Sequence, residues 1–192
     1  KEAIAPTDKE FKPVLTKIAA AKPDLIYYPV FIGAGSLITR QAKEVPGLEK
    51  AVLMAADRTF SPDFLKGAGT AAVGMYQSSP DLSAFAGGYQ TFLANHQKKY
   101  NEKPLSIFHA HAYDGAGIIF AAIEKVAVKG PDGSLYIGRQ ALRDAVAATK
   151  DYDGLTGKLT CDKNGDCANP VIAVYQITAD NVSKALTPDK PI

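Results

Sequence analysis

Residues 25–31 carry a dense apolar run: Leu25, Ile26, Tyr27, Tyr28, Val30 and Phe31, broken only by Pro29. A short run rich in β-branched and aromatic side chains predicts a strand buried on both faces. Gly33 and Gly35 follow, and over 36–43 the pattern changes to helical spacing, with Leu37 and Ile38 set against Arg40 and Lys43. A buried strand that runs through glycines into a helix is the unit of a parallel α/β sheet. Ligands in such sheets bind beyond the carboxyl ends of the strands. Residues 31–36 therefore mark the first place to look for a site.

The same rhythm extends on both sides. Residues 1–21 predict a short lead-in helix, with Thr7 or Asp8 as N-cap, Glu10 near the third helical position, and Val14, Leu15 and Ile18 on one face. After a stop at Pro46-Gly47, residues 51–55 predict a second buried strand that ends at Asp57. Ser61-Pro62-Asp63 then opens a short helix with proline in its first turn, and residues 74–78 predict a third strand closed by Pro80. From there the pattern turns helical, over 84–100, 107–126 and 139–148, with a turn at 129–133 and no strand between. Beyond Gly157 the chain reads as extended, with 158–161 and 171–177 as the arms of a hairpin around Asn164-Gly165. The expectation is an α/β unit over 1–80, a helical segment over 81–153 and a return over 154–192.

At 46% hydrophobic, 192 residues suffice for a real core. A net charge of +2 without a basic block gives no argument for nucleic acid, and the apolar runs near Tyr27 and Ile118 are too short to span a bilayer. The chain starts at Lys1 without an initiator Met or a leader, so it is expected to be a mature or truncated piece of something longer. Cys161 and Cys167 flank the Asn-Gly turn; they either bond across it, which implies an oxidising compartment, or remain two free thiols.

Candidate chemistry is sparse. Gly33-Ala34-Gly35 after a strand, with Asp57 ending the next, invites a dinucleotide reading, but Ile38 stands where that fingerprint needs its third glycine. His109 and His111 alternate as two ligands on one strand face would, without a third ligand at metal spacing. Asp162, Asn164 and Asp166 imitate the start of a calcium loop whose glycine and closing glutamate are misplaced. No nucleophile or phosphate motif is present. What remains is an aromatic and acidic set: Tyr27, Tyr28 and Phe31 at one strand end, Asp57 at the next, and Phe108, His111 and Tyr113 at the start of a long apolar helix. Aromatic walls with few polar groups make a small-molecule pocket, and a carboxylate ending a buried strand needs a partner.

Seven segments, in order, resemble one family: TDKEFKPVL (7–15), PDLIYY (23–28), RQA (40–42), ADRTFSPDFL (56–65), AVGMY (72–76), YDGA (113–116) and DKNGD (162–166). They are similar to the branched-chain amino acid-type solute-binding proteins of ABC transporters, of the type 1 periplasmic binding protein fold. The resemblance covers the whole chain but only the latter part of a family member. It implies two α/β lobes that close over a small molecule, with residues to about 80 and the hairpin region in the second lobe and the three helices in the first. It implies no enzyme activity and no cofactor. The ligand is expected to be amino acid-like or carboxylate-bearing, delivered to a membrane permease from the periplasm or cell surface. Asp57 takes the place of the acid that holds a ligand ammonium, and Phe31 and Phe108 take the places of aromatics that face the ligand. Tyr28, His111 and Tyr113 complete the candidate set. A missing first-lobe segment is expected as partner. The alternatives are a fragment of a dinucleotide-dependent enzyme or a ligand-sensing domain. Pro29-Val30 replaces a glycine pair usual in the family, and Arg58 replaces a frequent glycine.

Overall fold

The structure, a computed structural model, describes residues 1–5, 7–85, 87–104, 107–168 and 170–192; Ala86, within the helix expected over 84–100, lies outside them. The chain divides into two compact units, one of residues 1–82 with 172–192 and one of residues 83–171.

In the first unit α1 (Lys12–Ala19), β1 (Leu25–Tyr28), α2 (Ile32–Ala42), β2 (Val52–Ala55), α3 (Pro62–Ala68) and β3 (Tyr76–Pro80) alternate as expected. The three strands are parallel, with Tyr28 opposite Ala55 and Ala55 opposite Gln77, and β1 lies at one edge. Helix α1 starts later than its sequence cap suggested. Its N-cap is the buried Phe11, while Asp8 accepts from the Ala5 N–H and Glu10 from the Lys12 N–H.

Strand β1 is not buried on both faces. Ile26 and Tyr28 point inward, but Leu25 is 47% and Tyr27 52% exposed. The reason is that Ile26, Tyr28, Leu53 and Ala55 share a single core with Ala34 and Ile38 of α2 and Phe64 and Leu65 of α3. That core meets one face of the sheet; Leu25, Tyr27 and Val52, which is paired with Leu25, stand on the other. Close approach of α2 to its neighbours depends on two glycines. A Cβ at Gly35 would come within 2.8 Å of Thr59 Cγ2, and one at Gly67 within 2.7 Å of Ser36 Oγ.

The second unit holds α4 (Gly88–Tyr100), α5 (His109–Val126), β4 (Val128–Lys129), β5 (Leu135–Tyr136), α6 (Arg139–Ala147), β6 (Tyr152–Gly154) and β7 (Gly157–Leu159). A small hairpin, β4–β5, thus sits between helices where no strand was expected. The hairpin expected between 158–161 and 171–177 does not form. Strand β7 pairs with β6, and β8 (Ile172–Gln176) pairs antiparallel with β3 in the first unit, followed by α7 (Ala179–Lys184). The Asn-Gly segment closes on itself instead. The Asp162 carboxylate accepts the Asn164 and Asp166 N–H groups, Gly165 takes φ 86°, and the Cys161–Cys167 disulfide is formed. So small a loop contributes about 2 kcal/mol by chain entropy.

The chain rejoins the first unit at Ile172 rather than at 154, because Asp114 keeps the β6–β7 turn on α5. Its carboxylate, 2% exposed, accepts the Leu155 N–H at 2.7 Å, the Thr156 N–H at 2.8 Å and the Thr156 hydroxyl at 2.7 Å. A buried carboxylate is tolerated only with such a set of donors. Gly154 is required beside it, since a Cβ there would stand 2.6 Å from Asp114 Oδ2.

Neighbouring exposed apolar side chains drive association. Light scattering on the isolated 192-residue chain is expected to show self-association through the Leu25, Tyr27 and Val52 face, relieved by Tyr27→Lys. A monodisperse monomer would contradict this.

Candidate functional site

The parallel register places Phe31 and Arg58 each three residues beyond the paired Tyr28 and Ala55. Phe31 is the extended N-cap of α2, and its ring is 63% exposed. Asp57 opens a 3-10 turn, Asp57–Thr59, directly after β2. Its side chain is half-buried, and among the described residues its carboxylate makes no hydrogen bond or ion pair. Two structural duties lay within its reach, and it performs neither. Helix α3 is capped by Ser61, whose Oγ accepts the Asp63 N–H. Arg58 places its guanidinium carbon over the Phe31 ring, 4.5 Å from the centroid, and pairs with no carboxylate among the described residues. At an exposed site such a contact contributes about 0.5–1 kcal/mol.

The turn that carries Asp57 is fixed from below by Thr59, which is fully buried. The Thr59 hydroxyl donates to the Ala56 carbonyl at 2.8 Å, and Gln77 Nε2 donates to both the Thr59 carbonyl, 2.9 Å, and its Oγ1, 2.7 Å. The Thr59 methyl meanwhile rests on Gly35. Neither Thr59 nor Gln77 stood out in the sequence. The one signal was a pair of polar residues at positions where the flanking pattern is apolar.

Tyr28 is withdrawn from the site by its geometry. It is 6% exposed and belongs to the core, its hydroxyl lies 2.8 Å from Thr39 Oγ1, and burial pushes its phenol up to about 12. Strand alternation allows one of Tyr27 and Tyr28 to point outward, and that is Tyr27. Gly33 and Gly35 both lie inside α2, so no glycine-rich loop precedes the helix to cradle a pyrophosphate.

In the second unit His109, His111 and Tyr113 stand on helix α5, not on a strand. Positions two apart on a helix point about 200° apart, so the structure separates what the sequence grouped. Phe108, just before α5, has its ring 5.8 Å from His111, which also meets Phe85 edge-on at 5.5 Å. Tyr113 lies on the other side against Phe92, at 5.1 Å, with His109 stacked on Phe92 and sharing a 2.9 Å hydrogen bond with the Tyr89 hydroxyl. Among the described residues no group of three acidic, His or Cys side chains could hold a metal ion. A groove of about 810 Å³ borders Phe92, His96, Lys99 and Tyr113, and one of about 550 Å³ in the first unit borders Val14, Ile18, Leu25 and Tyr27. Asp57 and Phe31 line neither of these two grooves.

The sequence profile described as periplasmic binding protein matches residues 1–182. The leucine-, isoleucine-, valine-, threonine- and alanine-binding protein of Pseudomonas aeruginosa is 28% identical over 176 residues, which are 91% of this chain and 44% of that protein. A leucine-binding protein from Thermotoga maritima superposes with a TM-score of 0.73 at 23% identity, over 90% of this chain and 46% of its own. The branched-chain amino acid substrate-binding protein of Streptococcus pneumoniae, solved with isoleucine, gives a TM-score of 0.72 at 23% identity over 92% and 47%. The chain spans about half the length of the relatives it matches.

His111 offers a test of the packing around α5. Burial lowers its imidazole from the ordinary value near 6.5; the Asp114 carboxylate opposes this and His109 adds to it. A lowered folded value means that the neutral form is favoured on folding. That stability is fully present above the unfolded value and is lost as pH falls through the folded one. Melting temperature is therefore expected to drop between pH 7.5 and 5.5, and His111→Gln to remove part of the drop. An identical pH dependence in the variant would show that His111 is not held neutral by burial.

Proposed function

Because the chain belongs to the periplasmic binding protein family, we propose that it is part of an extracytoplasmic solute-binding protein that holds a small amino acid-like molecule and hands it to the permease of an ABC transporter. The family is one of receptors, so no catalytic step is invoked. The observation that carries the reading is the half-buried Asp57 carboxylate, without a hydrogen bond or ion pair among the described residues, at the end of a parallel strand in the turn whose next residue, Arg58, lies over the exposed Phe31 ring. Such a carboxylate accepts hydrogen bonds from a ligand ammonium, and the ring covers the apolar part of the same molecule. The relatives' names give branched-chain amino acids as their ligands. In the second unit, taken by itself, Phe108 and His111 lie together and are that unit's own candidates for ligand contact; Tyr113 faces away from them.

The Cys161–Cys167 disulfide supports an oxidising compartment. Among the described residues no helix is long and apolar enough to cross a membrane. The partner that covers Leu25, Tyr27 and Val52 is proposed to be polypeptide equivalent to the half of the relatives that this chain does not span. Edge strand β1 supports this, since its outer backbone groups are open to a further strand.

Hydrogen bonds to a charged group contribute about 1.5–3 kcal/mol. Asp57→Asn in the native protein is therefore expected to weaken amino acid binding by about tenfold to a hundredfold, with the melt of the empty protein little changed. Titration calorimetry beside a thermal melt checks both. Unchanged affinity with a lowered melting temperature would make Asp57 a scaffold residue.

A further inference from the structure

We infer that Arg58 is a specificity-determining residue: it holds a carboxylate of the ligand next to the ammonium on Asp57. This rests on the reading of Asp57 as the ammonium anchor. Three observations carry it. Arg58 and Asp57 are consecutive in one 3-10 turn and bear opposite charges, yet they form no ion pair with each other. Arg58 has no carboxylate partner anywhere among the described residues, although the chain carries 20 acidic side chains. The guanidinium is held instead against the ring of Phe31, the exposed aromatic three residues past the end of β1.

That arrangement suits anion capture. The ring meets the guanidinium through its face, and an aromatic face takes none of the donors that form a fork with a carboxylate. The N–H groups at the rim stay open for a planar, bidentate acceptor. Asp57 and Arg58 do not pair with each other, so both charges remain for a ligand that has an ammonium and a carboxylate a few bonds apart. The carboxylate can come from the backbone of a neutral amino acid or from the side chain of an acidic one, and the test distinguishes the two.

The experiment is titration of the native protein and of Arg58→Gln and Arg58→Lys with leucine, leucinamide and glutamate. Leucinamide lacks a carboxylate. Arg58→Gln is expected to weaken at least one carboxylate ligand by tenfold or more relative to leucinamide, with Arg58→Lys retaining part of the loss because it keeps charge without the fork. Loss for leucine and glutamate alike assigns the backbone carboxylate; loss for glutamate alone assigns the side-chain one. Equal weakening of all three ligands, or none, overturns the role of Arg58 while leaving Asp57 as anchor. If the unaltered protein binds none of the three, the ammonium reading itself fails and this inference with it.

Discussion

The position of the candidate site depends on one buried contact, the seating of Thr59 between Gly35 and Gln77. The methyl of Thr59 occupies the space that any side chain at position 35 would take, and its carbonyl and hydroxyl both receive Gln77. Helix α2, the turn after β2 and strand β3 therefore meet at one residue. This matters because a 3-10 turn of three residues has little stability of its own. The turn that carries Asp57 and Arg58 holds its shape because their neighbour Thr59 is fastened from three sides. Burial below the turn thus maintains unsatisfied charge above it, which is the usual relation between a scaffold and a binding site.

The strand–helix alternation of the first eighty residues was legible because it is local. Strands β1 and β2 are short apolar runs, β3 lies between Gly74 and Pro80, and each helix has glycine or proline close to one of its ends. What the sequence hid was non-local. Strand β8 pairs with β3 across more than ninety residues, so nothing near Asn164-Gly165 could announce that the turn is a closed disulfide loop rather than a hairpin. Asp114 reads as one more polar residue of a helical pattern until the β6–β7 turn is seen to lie on it. Gln77 and Thr59 are hidden for the same reason.

The structure also separates candidate residues that the sequence grouped, for physical causes of the same kind. Tyr28 was grouped with Phe31 by nearness in sequence, whereas strand alternation sends it into the core and leaves Phe31, beyond the strand, outside. His111 and Tyr113 were grouped likewise, and the helical period separates them. Asp57 was legible because a carboxylate at the end of an apolar strand is costly unless something pairs with it. The structure sharpens that point by supplying no hydrogen-bond or ion-pair partner among the described residues.

The central proposal is that this chain is part of a receptor for an amino acid-like molecule, with Asp57 and Arg58 at a strand end left for the ligand. Mass spectrometry of the small molecules released when the native protein, purified without added ligand, is denatured addresses that claim most directly. An amino acid-like compound near one per protein is the predicted result. A nicotinamide or flavin compound in that stoichiometry would contradict it.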